Sequence, residues 1–174
     1  MIIGFRHKGL ETFYRTGSTR GIQAAHAPKL ATILAMLDAA AALGESEAKF
    51  RAIADSMPQM VWSTRPDGFH DYYNARWYEF TGVPAGSTDG EGWNDMFHPE
   101  DQARARALWS RALETGEPYE IEYRLRHHSG VYRWTLGRAM AIRNAEGEIT
   151  RWFGTCTDID ELKRMEQGKE LLSQ

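Results

Sequence analysis

One cysteine, six histidines and a dense set of aromatic side chains are the residues of this 174-residue chain with the most chemistry to offer. A metal site needs several ligands at short spacing, and Cys156 with the histidines shows no such cluster. Nucleophilic catalysis needs a base beside the nucleophile and a third group to orient it, and no such constellation is recognisable. Glu114, Glu117, Glu120 and Glu122 read as a solvated face, not as a pair of catalytic carboxylates. His98 reads as a capping residue before a helix, and His127 and His128 as solvated residues at a turn. The aromatic set remains: Trp62, Tyr73, Trp77, Phe80, Trp93, Phe97, Trp109, Trp134, Trp152 and Phe153. Most of it is expected to be ordinary core. Aromatic and methionine side chains held between a sheet and short helices also line small apolar ligand cavities. The candidates for such a lining are Trp62, Tyr73, Trp77, Phe80, Trp93, Met140 and Cys156.

Composition narrows the class further. Hydrophobic residues make up 42% and charged residues 26%, values ordinary for a globular domain. The net charge of −3 lacks the basic excess of a general nucleic-acid binder, so no nucleic acid is expected as partner. A single thiol offers no disulfide framework. No run reads as the roughly 20 apolar residues that span a bilayer, and no signal-peptide pattern opens the chain. The expectation is therefore a cytoplasmic protein with no membrane contact.

The elements that must position these side chains follow from periodicity. Residues 2–5 have the composition of a short strand, and Lys8–Thr16 reads as a helix ended by Gly17. Leu30, Ile33, Leu34, Leu37 and Ala41 recur at helical spacing within 24–43, and Phe50 and Ile53 continue the pattern over 45–56. Gly44 lies between the two, and the sequence leaves open whether the helix bends there. Met60–Trp62 and His70–Tyr73 flank the turn Arg65-Pro66-Asp67-Gly68 and read as a hairpin. Short helices are expected over 75–81, 91–97 and 99–115. Three strands then follow over 119–127, 131–143 and 149–158, with a closing helix over 160–172. Two strands, several short helices and three strands in meander give an α+β fold: a five-stranded antiparallel sheet with helices on one face.

Several motifs stand on these elements in a characteristic order. They are Tyr73-Asn74-Ala75-Arg76-Trp77-Tyr78-Glu79-Phe80-Thr81-Gly82, Trp93 with Phe97-His98-Pro99-Glu100-Asp101, and Tyr123-Arg124-Leu125-Arg126. Gly130-Val131-Tyr132-Arg133-Trp134 and Trp152-Phe153-Gly154-Thr155-Cys156-Thr157-Asp158-Ile159-Asp160 complete the series. Together they resemble the PAS domains, in particular the subtype with a Trp-rich C-terminal hairpin (PAS fold-3) found in sensory histidine kinases, over about two thirds of the chain. The resemblance implies a sensory or relay module over 45–160, not an enzyme. It also implies that Asp158, Ile159 and Asp160 tie the last strand to an outgoing signalling helix over 161–174. That helix resembles the approach to a histidine-kinase dimerisation domain of the HWE kind, with the kinase itself outside this chain.

The first 44 residues resemble a different family. Phe5-Arg6-His7-Lys8-Gly9-Leu10, Thr16-Gly17-Ser18, Gly21-Ile22-Gln23 and Leu37-Asp38-Ala39-Ala40 are similar to the start of HigB-type toxins, ribosome-dependent mRNA interferases. The similarity ends before the part of those toxins that carries most of the active site. The segment is thus expected to be a truncated toxin fused to the PAS module. Residual interferase activity involving His7 or Lys8 is the alternative from another class, and a purely structural PAS dimer is a third.

The identity of any cofactor is open. Flavin photochemistry of the LOV type needs a reactive cysteine on a helix, whereas Cys156 falls in the last strand and reads as a buried, inert thiol. Haem needs an axial histidine, usually from the long helix of haem-binding PAS domains, and 99–115 contains none. The partners expected are a second copy, joined through the N- and C-terminal helices, and a kinase or other output domain.

Overall fold

The computed structural model describes residues 2 and 4–172 and divides into two compact units, residues 1–53 and 54–174. In the first unit, α1 (Lys8–Thr16) is capped by His7, whose Nδ1 accepts the Leu10 N–H at 3.2 Å. Gly17 ends it in the left-handed region, where a residue without Cβ is favoured. α2 (Ala27–Ser56) begins after a 3₁₀ turn at Ala24–His26. The Asp38 carboxylate accepts from the Tyr14 hydroxyl and, at 2.7 Å, from the Ile2 N–H. Residues 2, 4 and 5 are not in a strand, and the Ile2 N–H is bonded to a side chain. Ile3 lies outside the described residues.

α2 runs without interruption through Gly44. A Cβ there would meet nothing, and leaving the helix would forfeit hydrogen bonds worth more than the roughly 1 kcal/mol that glycine costs. This continuity revises the expectation about membrane-length segments. Ala24–Ser56 is long and apolar enough to cross a bilayer by length and composition. Alanines with Leu30, Ile33, Leu34, Leu37 and Leu43 supply the apolar character, and Lys29 and Asp38 are the charges between 27 and 44.

The second unit holds the sheet. β1 (Met60–Thr64) and β2 (His70–Tyr73) form the hairpin, with Gly68 at positive φ in its turn. α3 (Ala75–Thr81), a 3₁₀ helix at Gly92–Met96 and α4 (Pro99–Thr115) follow. β3 (Tyr119–Arg126), β4 (Tyr132–Arg143) and β5 (Ile149–Asp158) make the meander, and α5 (Asp160–Leu172) closes the chain. The strand order is β2-β1-β5-β4-β3, antiparallel throughout, so the last strand lies in the centre and pairs with the first.

Strand alternation decides which side chains face the helices. Tyr119, Ile121, Tyr123 and Leu125 are buried, while Glu120, Glu122 and Arg126 between them point to the exposed face. Two glycines on the inner face make room for large rings. A Cβ at Gly154 would stand 2.2 Å from the Trp62 indole, and one at Gly137 would stand 2.6 Å from the Tyr123 ring. The core therefore consists of flat aromatic rings pressed against backbone, with Ala105, Trp109 and Ala112 of α4 closing it from above.

Asn74 fixes the corner where β2 turns into α3. Fully buried, it accepts from the N–H groups of Val61 (2.9 Å) and Trp77 (3.3 Å) and donates to the carbonyls of Ala54 (2.7 Å) and Gln59 (3.0 Å). It serves at once as the helix cap expected of asparagine and as a clamp on β1.

Candidate functional site

The helices press against the sheet around a small interior cavity. Trp62, Tyr73, Trp77, Trp93 and Cys156, five of the residues singled out in the sequence, line it together with His70, Phe97, Trp109, Tyr119 and Tyr123. Phe80 is buried in the same core but is not in that lining. Its ring meets His127 edge-on at 4.9 Å. Met140 is placed elsewhere: it is 65% exposed and lies across from Phe153 on the opposite face of the sheet. The period of two explains this, since Ala139 takes the inner position and the next side chain must point outward.

His70 is the residue sequence reasoning passed over. A register shift between Ser63 and Thr64 lets both His70 and Tyr73 face the interior, which simple alternation does not foretell. Its ring is surrounded by Trp62 at 4.8 Å, Trp93 at 5.3 Å, Tyr73 at 5.8 Å and Trp109 at 5.8 Å. Burial pulls its pKa down to about 3, against the backbone groups of Gly68 and Gly90, which favour the protonated ring. The imidazole is therefore neutral in the folded interior.

Several other polar atoms of the interior are bonded within it, while the Trp152 indole nitrogen is buried with no hydrogen-bond partner. The Tyr73 hydroxyl donates to the Thr88 carbonyl at 2.9 Å, and the Trp77 indole N–H donates to Thr88 Oγ1 at 3.1 Å. The Tyr123 hydroxyl and the Cys156 thiol are 2.8 Å apart. Burial pushes the thiol up to about 11 and raises the Tyr73, Tyr119 and Tyr123 phenols as well. Cys156 on the inner face of β5 is thus a protonated thiol, a poor nucleophile.

The cavity itself offers about 20 Å³ to the centre of a water-sized sphere, room for one water. Among the described residues no group of three or more His, Cys, Asp or Glu side chains is placed to hold a metal ion.

A second constellation joins the sheet to the outgoing helix. The Trp134 N–H donates to Asp160 Oδ1 at 3.1 Å, and the Trp134 carbonyl accepts the Ile159 N–H at 2.9 Å. Asp160 is buried, and its second oxygen meets Arg164 at 2.9 Å. Asp158 is exposed, pairs with Arg133 at 3.0 Å and accepts the Asp160 N–H at 3.0 Å, so it caps the first turn of α5. Of the three junction residues, Asp160 is the buried one.

The same tryptophan is flanked by charge. The Arg124 guanidinium lies 5.4 Å and the Lys163 ammonium 5.8 Å from its ring, within the range of cation–π attraction. Lys163 is paired with Glu122 of β3 at 2.6 Å, and Arg124 grips Asp101 of α4 through two contacts at 3.0 Å. That grip holds the Asp101 carboxyl below its ordinary range despite burial. Helix α4, strands β3 and β4 and helix α5 are thereby joined in one chain of contacts.

An antiparallel sheet thus encloses a small aromatic interior and passes its central strand straight into the closing helix. The family model for the PAS fold matches residues 70–156, half of the chain. The chain belongs to the PAS family, whose domains are sensory. It is 37% identical over 130 residues to the uncharacterized protein y4lL of Sinorhizobium fredii, covering 75% of this chain and 16% of that one. It is 29% identical over 137 residues to the peroxide stress-activated histidine kinase mak1 of Schizosaccharomyces pombe, covering 72% of this chain and 8% of the kinase. Among solved structures, a sensory box histidine kinase/response regulator from Burkholderia thailandensis superposes with a TM-score of 0.54 at 28% identity, over 72% of this chain and 95% of that one. The chain spans less than a fifth of the length of the curated relatives it matches.

Proposed function

We propose that this chain is the sensory and relay portion of a two-component histidine kinase, with residues 45–160 as the PAS module, 161–174 as the signalling helix and 1–44 as an extension derived from a HigB-type toxin. The carrying observation is the double backbone clamp between Trp134 and the Ile159-Asp160 pair. A shift of the sheet at Trp134 must move or release the first turn of α5, because two of that turn's bonds end on one residue. The names of similar proteins support a kinase as the output. Exposed apolar residues on both helices, Leu37 and Leu43 on α2 and Leu162 and Met165 on α5, support assembly with a second copy. For the first 44 residues, the engagement of His7 as the cap of α1 supports a structural extension over residual interferase activity.

Hydrogen exchange on the whole chain tests the relay. Asp160→Ala should speed amide exchange in α5 at least tenfold and leave the central strands β1 and β5 protected. In a fusion of the chain to a histidine-kinase core, the same variant should change autophosphorylation severalfold. Unchanged exchange in α5 together with unchanged phosphorylation would sink the reading.

A further inference from the structure

The start of the chain carries a charge of opposite sign to the rest. Residues 1–29 hold five of the 21 Lys and Arg residues, Arg6, Lys8, Arg15, Arg20 and Lys29, against a single acid, Glu11, so their net charge is +4 and residues 30–174 carry −7. All five basic side chains are exposed. Directly after Lys29 the sequence turns apolar, and Asp38 is the one charge between 30 and 44. Of the described residues from 27 to 53 only Leu34 is buried, whereas Ile33, Met36, Leu37 and Leu43 are 42% to 68% exposed. Exposed apolar surface on a helix that follows a basic segment is the pattern of a chain resting on lipid, where cations meet the head groups and apolar side chains reach the acyl boundary.

We propose that α1 and the first half of α2 form a docking surface for an anionic lipid bilayer, lying in the head-group layer and not crossing it. A second copy paired in parallel along α2 would bring the same basic residues together, whereas anionic head groups neutralise them. Nucleic acid would satisfy the cations and leave Ile33, Met36, Leu37 and Leu43 in water. A spanning pose is opposed by α1, which is tied to the middle of the apolar stretch: Asp38 accepts from the Tyr14 hydroxyl and, at 2.7 Å, from the Ile2 N–H. Burying that point in hydrocarbon would draw Lys8, Glu11 and Arg15 of α1 in with it, and each charge taken into the bilayer is costly. Docking of this unit does not depend on the sensory role of the PAS module. Lipid and a second copy exclude each other at Leu37 and Leu43, so on a membrane α5 is left as the contact between copies.

Flotation of the full chain with vesicles is the test. Vesicles of phosphatidylcholine alone are compared with vesicles in which about a third of the lipid is phosphatidylglycerol, at about 0.15 M salt. Saturable binding is expected, at least tenfold tighter to the anionic vesicles and weakened severalfold at about 0.5 M salt. Arg6→Gln combined with Lys8→Gln and Arg20→Gln should erase the preference between the two compositions. Ile33→Ser combined with Met36→Ser should weaken binding to both by about fivefold or more. All five positions are exposed, and an unchanged circular dichroism spectrum checks that the helices persist. Equal binding to both compositions, or no binding to the anionic vesicles, would overturn the proposal, the latter leaving the apolar face to a second copy. Binding that resists extraction with alkaline carbonate would show a spanning helix and overturn the surface pose. The ratio measured on the unaltered chain decides even if a variant does not fold.

Discussion

His70 and Asn74 show how far a single side chain can set the behaviour of this domain. His70 is neutral in the folded state with a pKa near 3, whereas in the unfolded chain it titrates near 6.5. Between those values the unfolded state binds more protons, so stability rises with pH, is fully present above about 6.5 and is lost as the pH falls towards 3. The slope from this one group is about 1.4 kcal/mol per pH unit. Denaturant melts between pH 4 and 6.5 should show it, and His70→Phe should flatten the curve by that amount. An unchanged slope would mean that the imidazole is protonated in the folded core. Asn74→Ala removes four hydrogen bonds at once and strands buried backbone groups, for an expected loss of about 3 kcal/mol and a melting temperature lower by about 10 °C. The asparagine cap was legible from sequence, because Asn before Ala75 and Gly82 after Thr81 bracket a helix. The second half of its task, holding β1 and the end of α2, joins residues 13 to 20 positions away and left no local trace.

For the strands and helices, a pair of glycines separates packing from propensity. Gly154 on β5 lies under the Trp62 ring with no room for a methyl group, so Gly154→Ala should cost about 1–3 kcal/mol through overpacking. Gly44 in α2 has open space around it, and Gly44→Ala should stabilise the helix by about 1 kcal/mol. Circular dichroism melts of both variants check the opposite signs. The elements themselves were almost all readable, since their caps and turn residues are local: Gly17, Pro99, Gly116 and the Arg65-Pro66-Asp67-Gly68 turn lie where the chain changes direction. Exceptions arose where a local signal met a distant partner. The expected strand is not found at the described residues 2, 4 and 5, and the apparent break at Gly44 is overridden by continuous helix. Met140 was grouped with the interior on residue type alone. The pairing of β4 with β5 turns it outward, and that register is a property of two strands, not of one.

At the scale of the molecule, the proposed assembly has its own test. Native mass spectrometry of the full chain should show a dimer, and Leu37→Glu combined with Leu43→Glu should convert it to monomer without loss of the PAS core. A monomer at all concentrations would assign these exposed residues another role. The sequence by itself determined the α+β class and the order of the elements, because alternation, helical spacing and turn chemistry are written within a few residues. The resemblance carried by its motifs marked Asp158, Ile159 and Asp160 as the junction to α5. Only the tertiary structure decided that Asp160 is the buried anchor and that Trp134 is the residue it holds. The same is true of a neutral histidine facing the interior cavity. Each of these depends on strand register and on burial by segments far away in the chain, and neither quantity has a local signature.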